Sequence, residues 1–327
     1  MDGLIAGGIQ WILAIQGLGA WLEAPMKLFS FLGTENFFLL VLPLIYWCVD
    51  AQLGIRVGFI LITSSYVNGI FKLWFAGPRP YWVSDKVIPF SAESSFGVPS
   101  GHAQNAVTNW GMLAAGYGKR WAWGVAVALM FFIGFSRWYL GVHFPHDVLL
   151  GWLIGGLLLW GFLRYWDGLA AWLSVQSIGK QVLSALLVSL VFVAVGAVSV
   201  GRLDGYVFPE AWRANALRIA DRLPEPVSME DSLTSAGLFF GLALGLAWIK
   251  SRGGYQVSGP VLRRALCFFI GVVGVLILWR GLGLVFPHQE DVISYALRYI
   301  RYTLVGAWVS GGAPWLFFRF KLANSQM

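Results

Sequence analysis

The chain has 327 residues, of which 58% are hydrophobic and only 12% are charged. Soluble domains carry about a quarter charged residues, so this composition excludes an ordinary water-soluble domain and predicts a polytopic membrane protein. The formal net charge is +7 at pH 7, but no basic run or basic-aromatic face accompanies it, so nucleic acid is not an expected partner.

The chain begins with an apolar stretch at residues 4–22, which has Asp2 rather than a positive charge before it. We therefore expect residues 1–25 to form an amphipathic or interfacial helix and not a removable signal peptide. Apolar runs of spanning length follow near 26–47, 52–75, 101–117, 121–138, 146–164, 180–201, 232–249, 263–285 and 297–318.

These runs predict an all-α polytopic membrane protein with about nine transmembrane helices. We divide the chain into the N-terminal segment 1–25, a core at 26–166 and C-terminal helices at 167–327. The first run is interrupted by "GTEN" and is expected to be kinked. Cys48 and Cys267 lie in or beside apolar runs, and two cysteines do not indicate a disulfide framework.

The basic residues of the loops indicate how the chain is oriented. We expect nine spans with the N-terminus outside and the C-terminus inside. This orientation places the basic residues of the inner loops and the C-terminal tail on the cytoplasmic side, in agreement with the positive-inside rule. The loops 76–100 and 138–145 then open on the non-cytoplasmic side of what we expect to be a bacterial inner membrane. The inner set is Lys119, Arg120, Arg164, Lys180, Lys250, Arg252, Arg263, Arg264, Arg319 and Lys321.

Three segments carry polar residues where apolar ones are expected: "KLWFAGPRP" at 72–80, "VPSGHAQN" at 98–105 and "SRWYLGVHFPHD" at 136–147. The helix order brings all three to one membrane face. Lys72, Arg79 and Arg137 are cations suited to phosphate oxygens. Ser100 reads as a helix N-cap and Gly101 permits close approach of a ligand, so the helix start offers an anion site. The segments predict phosphate binding.

A histidine and an aspartate four residues apart indicate nucleophilic chemistry. Asp147 can accept from one ring nitrogen of His143 and leave the other free to attack, while His102 can protonate a leaving group. His143, His146 and Asp147 also have a plausible metal-ligand spacing. The neighbouring cations argue against a metal, and His146 is expected to be structural rather than catalytic.

Together, Lys72-x6-Arg79-Pro80, Pro99-Ser100-Gly101-His102 and Ser136-Arg137-x5-His143-x3-Asp147 resemble the three-part signature of the type 2 phosphatidic acid phosphatase superfamily. The resemblance implies a six-helix core and a phosphohistidine at His143, supported by Asp147, with His102 as the acid. It implies no metal and no cofactor. The residues that would hold the phosphoryl group are Lys72, Arg79, Ser100, Gly101 and Arg137.

The wider chain resembles glucose-6-phosphatases, through "RPYW", "SRWYLGVHFPHDV" and three further C-terminal helices. A membrane lipid phosphate is the favoured substrate class, because six aromatic residues flank the motifs at the bilayer. A sugar phosphate is the alternative, and an anion transporter is the alternative of another class. No oligomeric state is predicted. The aromatic residues are Trp74, Phe75, Tyr81, Trp82, Trp138 and Tyr139.

Overall fold

A computed structural model of the chain describes residues 2–287 and 289–323. In these ranges the chain forms helices joined by turns and loops, with no β-strand. The all-α prediction is confirmed. A helix satisfies every backbone hydrogen bond within its own segment, which is the reason long apolar runs fold this way in lipid.

The helices in chain order are α1 Asp2–Gln16, α2 Glu23–Phe31, α3 Glu35–Leu44, α4 Ala51–Phe75, α5 Pro80–Val83, α6 Gly101–Asn105, α7 Gly111–Tyr117, α8 Arg120–Tyr139, α9 Pro145–Ser174, α10 Ile178–Gly201, α11 Glu210–Ala216, α12 Glu230–Lys250, α13 Val261–Leu276, α14 Leu282–Val285, α15 Val292–Ala307 and α16 Ala313–Arg319. Short π-helical turns continue α3, α6, α13 and α15, so that the helix runs on through each of them.

Six helical segments in the described ranges are long and apolar enough to cross a membrane: Ala51–Val83, Arg120–Tyr139, Pro145–Ser174, Ile178–Gly201, Glu230–Lys250 and Val261–Val285. A seventh is reached if Gly3–Gln16 and Ala20–Phe31, bent by 88°, count as one span. The predicted count of nine is not confirmed. The run at 26–47 is divided between α2 and α3, and the runs at 101–117 and 297–318 are helical but do not qualify as spans.

One compact unit contains the three polar segments, and it combines the chain up to Phe37 with Val67–Trp160 and Val198–Ser228. Within it, α9 lies directly against α6 because two glycines face that helix. A Cβ atom at Gly151 would lie 2.6 Å from the carbonyl oxygen of Ser100, and one at Gly155 would lie 2.7 Å from that of Gln104. Any larger residue would push apart the two helices that carry the second and third polar segments.

A second compact unit comprises Phe38–Tyr66, Gly161–Ala197 and the chain from Met229 onward. Its α12 and α15 pack closely along a stripe of glycines spaced four residues apart on α12. A Cβ atom at Gly241 would clash with the carbonyl oxygen of Thr303. Such small-residue stripes allow the backbone contacts that drive helix association in lipid. Each unit is built from segments that are distant in the sequence. The division of the chain at residues 25 and 166, which was made from the sequence, stays a prediction.

Candidate active site

The second and third polar segments meet through the start of α6. Ser100 is the N-cap, as the sequence predicts, and its hydroxyl accepts a hydrogen bond from Ala103 N–H at 3.4 Å. The Ser100 N–H donates to the carbonyl oxygen of Asp147 at 2.9 Å. The cap of one motif is therefore bonded to the backbone of the other.

His143 and Asp147 form a contact at the start of α9. His143 Nδ1 lies 3.3 Å from Asp147 Oδ2, which also accepts the Phe144 N–H at 2.8 Å. His143 Nε2 lies 3.3 Å from Arg79 Nη1. A guanidinium has donors only, so the Nε2 atom must present its lone pair and Nδ1 must carry the proton. The neighbours of the ring thus select the tautomer in which Nε2 carries the lone pair and Nδ1 the proton.

His143 lies in the loop between α8 and α9, and its side chain is almost fully buried. Burial, followed by the nearby positive charges of Arg79 and Arg137, lowers the pKa of His143 well below its ordinary value. Both effects disfavour the charged imidazolium. The ring is therefore neutral near pH 7, which is the form of imidazole that has a free lone pair.

Arg79 is fully buried, and its guanidinium contacts four protein groups besides His143. Nε donates to the Ser95 carbonyl at 2.7 Å, Nη1 to the Val142 carbonyl at 3.0 Å, and Nη2 to Ser95 Oγ and the Phe96 carbonyl, each at 3.1 Å. With the His143 contact, all five N–H donors have a partner. Arg79 is rigidly held, and this set of bonds fixes the orientation of His143.

Arg137 has more open hydrogen-bonding capacity than Arg79. Its Nη1 donates to Ser30 Oγ at 2.5 Å and its Nη2 donates to Glu93 Oε1. Its Nε is buried and has no hydrogen-bond partner among the residues that the structure describes. Lys72 Nζ donates to Ser95 Oγ at 2.7 Å. The first segment and the third are thus linked by residues 93–95.

Glu93 and Ser95 were not singled out from the sequence, although they contact all three predicted cations. Burial raises the pKa of Glu93, but the charges of Arg137 and Arg79 lower it more, and the net pKa lies well below the ordinary value. Glu93 is therefore ionised. The only available sequence signal was its position in the loop between two motifs.

Asn68 is another residue that the sequence reading missed. Its Nδ2 donates to Gln104 Oε1 at 3.0 Å and to the Pro99 carbonyl at 3.3 Å. A Cβ atom at Gly101 would lie 2.9 Å from Asn68 Oδ1. The absence of a side chain at Gly101 therefore makes room for Asn68, in addition to any role toward a ligand.

The two remaining histidines of the motifs lie at the edge of this group. His102 is half-buried in α6 and interacts electrostatically with Arg137 and Glu93. His146 stacks on Phe144 with ring centroids 5.3 Å apart, and its Nε2 lies 3.2 Å from Asp147 Oδ1. Within residues 2–287 and 289–323 no group of three His, Cys, Asp or Glu side chains has the arrangement of a metal site.

Two family models match the chain. One, described as the PAP2 superfamily, covers residues 53–171 and so contains every site residue predicted from the sequence. The other, described as the PAP2 superfamily phosphatase transmembrane extension, covers residues 233–325. The chain belongs to the PAP2 superfamily. It is accordingly a membrane phosphatase, and the resemblance drawn from the three motifs is confirmed.

Among curated PAP2 relatives, glucose-6-phosphatase 3 of Bos taurus is 26% identical, over 98% of this chain and 97% of its own length. Phosphatidylglycerophosphatase B of Bacillus subtilis is 29% identical over 45% of this chain and 76% of its own length. A probable sphingosine-1-phosphate phosphatase of Dictyostelium discoideum is 30% identical over 41% of this chain and 36% of its own length. A crystal structure of a transmembrane PAP2-type phosphatidylglycerolphosphate phosphatase from Bacillus subtilis covers 51% of this chain and 88% of its own, with 26% identity and a TM-score of 0.46.

Proposed function

We propose that this protein hydrolyses a phosphomonoester or diphosphate of a membrane lipid through a phosphohistidine on His143. The observation that carries the proposal is the pair of contacts on the His143 ring, to Asp147 at Nδ1 and to Arg79 at Nε2. Together they orient a neutral imidazole with its lone pair toward the cations. This is the arrangement that a histidine nucleophile requires.

In the first step, Nε2 of His143 forms a bond to phosphorus while the bond from phosphorus to the leaving oxygen breaks. His102 donates a proton to that oxygen, so the leaving group departs as an alcohol or a phosphate. Asp147 stabilises the positive charge that develops on the His143 ring. In the second step, water attacks phosphorus, His102 accepts its proton, and the bond to Nε2 breaks.

The charge of the phosphoryl oxygens needs compensation throughout both steps. Lys72 and Arg137 supply positive charge, Arg79 adds its own from beside Nε2, and the backbone N–H of Gly101, which follows the Ser100 cap, is a donor at the helix start. These groups are held in place before substrate arrives. No metal or cofactor enters this scheme, and addition of EDTA is expected to leave turnover unchanged.

The lipid assignment is supported by the relatives of the site-bearing half, which include a phosphatidylglycerophosphatase and a probable sphingosine-1-phosphate phosphatase. Fewer of the six aromatic residues near the motifs can contact a lipid than the sequence suggested. Trp74 and Phe75, beside Lys72, are about half exposed. The other four aromatic residues are buried within the protein and do not offer a surface to an acyl chain: Tyr81, Trp82, Trp138 and Tyr139.

A sugar phosphate, of the glucose-6-phosphatase type, is the second candidate substrate. It is favoured by the similarity to glucose-6-phosphatase 3 along the whole chain, the C-terminal helices included. Anion transport, the alternative of another class, is set aside because the chain belongs to a phosphatase superfamily. A phosphate-release panel in detergent separates the two substrates. It contains phosphatidate, phosphatidylglycerophosphate, undecaprenyl diphosphate, sphingosine phosphate and glucose 6-phosphate.

The test of the mechanism is rapid-quench labelling with a phosphorylated substrate. An acid-labile, base-stable phosphoenzyme should form on the wild-type protein, be absent from His143→Ala, and persist in His146→Gln as the matched control. His102→Ala should let it accumulate when the leaving group is good. Vanadate should inhibit, since its five-coordinate adduct resembles the transition state. A wild-type enzyme that turns over without any labelled histidine would refute the mechanism.

A further inference from the structure

The carboxylate of Glu93 lies against the two arginines of the site. Its Oε1 accepts a hydrogen bond from Arg137 Nη2, and its Oε2 lies 3.8 Å from Arg79 Nη2. The arginine side chains are 2% and 0% exposed, and that of Glu93 is 23% exposed. A carboxylate and a phosphate use the same edge of a guanidinium, because both accept its parallel N–H bonds. Glu93 thus makes the contact that a phosphoryl group would make.

The backbone of Glu93 is held by the helix that follows Arg79. The Glu93 N–H donates to the Tyr81 hydroxyl oxygen at 3.1 Å, and the Tyr81 hydroxyl donates to the Glu93 carbonyl at 3.4 Å. Tyr81 is buried in α5, two residues after Arg79. One short segment therefore carries an active-site arginine and holds the anion that faces it.

We propose that Glu93 is an internal competitor for the phosphate-binding arginines, and that the substrate phosphoryl group binds by exchanging with its carboxylate at Arg137. The inference rests on the proposed function, since it assigns Arg137 to the substrate. A buried guanidinium without a counterion is strongly disfavoured. Glu93 supplies that counterion between turnovers, so Arg137 stays paired before, during and after the reaction.

Exchange has a consequence for affinity and for product release. The apparent dissociation constant of a ligand rises in inverse proportion to the fraction of protein that is ready to bind it. If Glu93 occupies Arg137 about 90% of the time, the apparent Kd for phosphate is about tenfold higher than without it. The same competition helps to expel the phosphate product, because Glu93 returns to Arg137 as phosphate departs.

The experiment is a calorimetric titration of the purified full chain in detergent with inorganic phosphate and with vanadate. Glu93→Gln removes the charge, and Asp85→Asn removes an exposed carboxylate from the same loop as the control. We expect Glu93→Gln to bind both anions about tenfold more tightly than wild type, and Asp85→Asn to bind as wild type does. Equal or weaker binding by Glu93→Gln would overturn the inference and make Glu93 a support for Arg137.

A wild-type protein that binds no phosphate and releases none from the substrate panel would overturn the proposed function and this inference together. If only the inference fails, the wild-type protein still hydrolyses its substrate. In that case Glu93→Gln binds phosphate and vanadate no more tightly than the wild-type protein does.

Hydrogen exchange on the wild-type protein is the second measurement, and it does not depend on the folding of a variant. Displacement of the Glu93 side chain should loosen the bond between its N–H and Tyr81, so exchange in residues 90–97 should become faster when vanadate binds. A ligand that only covers this segment would instead make its hydrogen exchange slower. Slower or unchanged exchange in this segment would overturn the inference.

Discussion

Arg137 contacts Ser30 and Glu93 with different nitrogens of one planar group and still has Nε without a protein partner in the described structure. A lysine at this position keeps the charge but places it at a single atom on a flexible chain. We therefore expect Arg137→Lys to lower kcat/KM by ~10²-fold, the size of effect seen when one preorganised donor is removed.

The matched control for this substitution is Arg120→Lys, an exposed arginine at the start of the same helix α8. It should retain the activity of the wild-type enzyme. An Arg137→Lys enzyme with kcat/KM close to wild type would show that a positive charge at position 137 is sufficient and that the planar guanidinium makes no specific contact with the substrate.

The neutral state of His143 gives a pH dependence whose direction follows from its environment. Burial and the surrounding cations lower the pKa of His143, so the ring loses its proton at a pH below that of a free histidine, ~6.5. The acid limb of kcat/KM should accordingly lie below pH ~6.5. An aryl phosphate is the suitable substrate, because its second ionisation lies below that of an alkyl phosphate.

Lys72 is one of the cations that lower the pKa of His143. Lys72→Gln removes that charge, so the acid limb should move toward higher pH while kcat falls. A limb that stays in place, or that moves to lower pH, would contradict the assignment of this limb to His143.

At the scale of elements, local patterns were sufficient to predict the helix starts of the site. The cap at Ser100 and the start of α9 at Pro145 depend on residues within one helical turn, and both are found where the sequence indicates. The contact between His143 and Asp147 is also short-range, since His143 precedes α9 by two residues and Asp147 Oδ2 accepts the intervening Phe144 N–H in the first turn of that helix. Such short-range patterns can be recognised in the sequence without a structure.

Contacts made by irregular loops were not predictable in this way. Glu93 reaches Arg137 across 44 positions of the chain, and Ser95 bonds to both Lys72 and Arg79 from a loop without helix or strand periodicity. The path of such a loop is set by the elements packed around it. The carboxylate among the cations therefore became visible only from the tertiary structure.

The segment after α10 is another element whose role depends on long-range contacts. Arg218 donates to the carbonyl oxygens of Asp85 and Val87, and Asn215 of α11 donates to that of Trp82. Residues 198–228 therefore pack on the loop that carries Arg79 and Glu93. Arg218 is itself exposed, so we expect its bonds to contribute about 1 kcal/mol.

Arg218→Ala should lower the melting temperature by a few degrees and raise KM, because the loop that holds Arg79 and Glu93 becomes less ordered. Arg213→Ala is the control, since Arg213 is an exposed arginine of the preceding helix α11 and forms an ion pair with Glu210 of the same helix. Thermal unfolding and steady-state kinetics measure both effects. Equal behaviour of the two variants would show that the anchor to residues 85–87 is dispensable.

At the scale of the whole molecule, composition was enough to identify a helical membrane protein, because only helices and closed barrels satisfy the backbone in lipid. The number of spans was harder to predict. The polar "GTEN" within residues 26–47 predicted a kink in that run but did not show that it is divided into two short helices, whereas Ala51–Phe75 forms one helix. The division is decided by turns and by packing against neighbouring helices.

The side of the membrane on which the site opens is the remaining property of the whole molecule. In the nine-span arrangement predicted from the sequence, basic residues concentrate in the loops that we assign to the cytoplasm, and the loops with the motifs alternate with them. We expect the site to face the non-cytoplasmic side, where the enzyme acts on phosphorylated substrate in the outer leaflet and spares the phosphate esters of the cytosol. This placement suits the recycling of an exported lipid carrier.

Cysteine accessibility in sealed cells or vesicles tests the placement. Ser84→Cys lies in the loop of the first motif, and Ser251→Cys follows α12 in a basic loop. An impermeant thiol reagent applied from outside should label position 84 and should reach position 251 only after permeabilisation. The parent chain, whose Cys48 is half-buried and Cys267 buried, controls for background. Labelling of position 251 but not 84 from outside would invert the topology and place the phosphoryl chemistry in the cytoplasm.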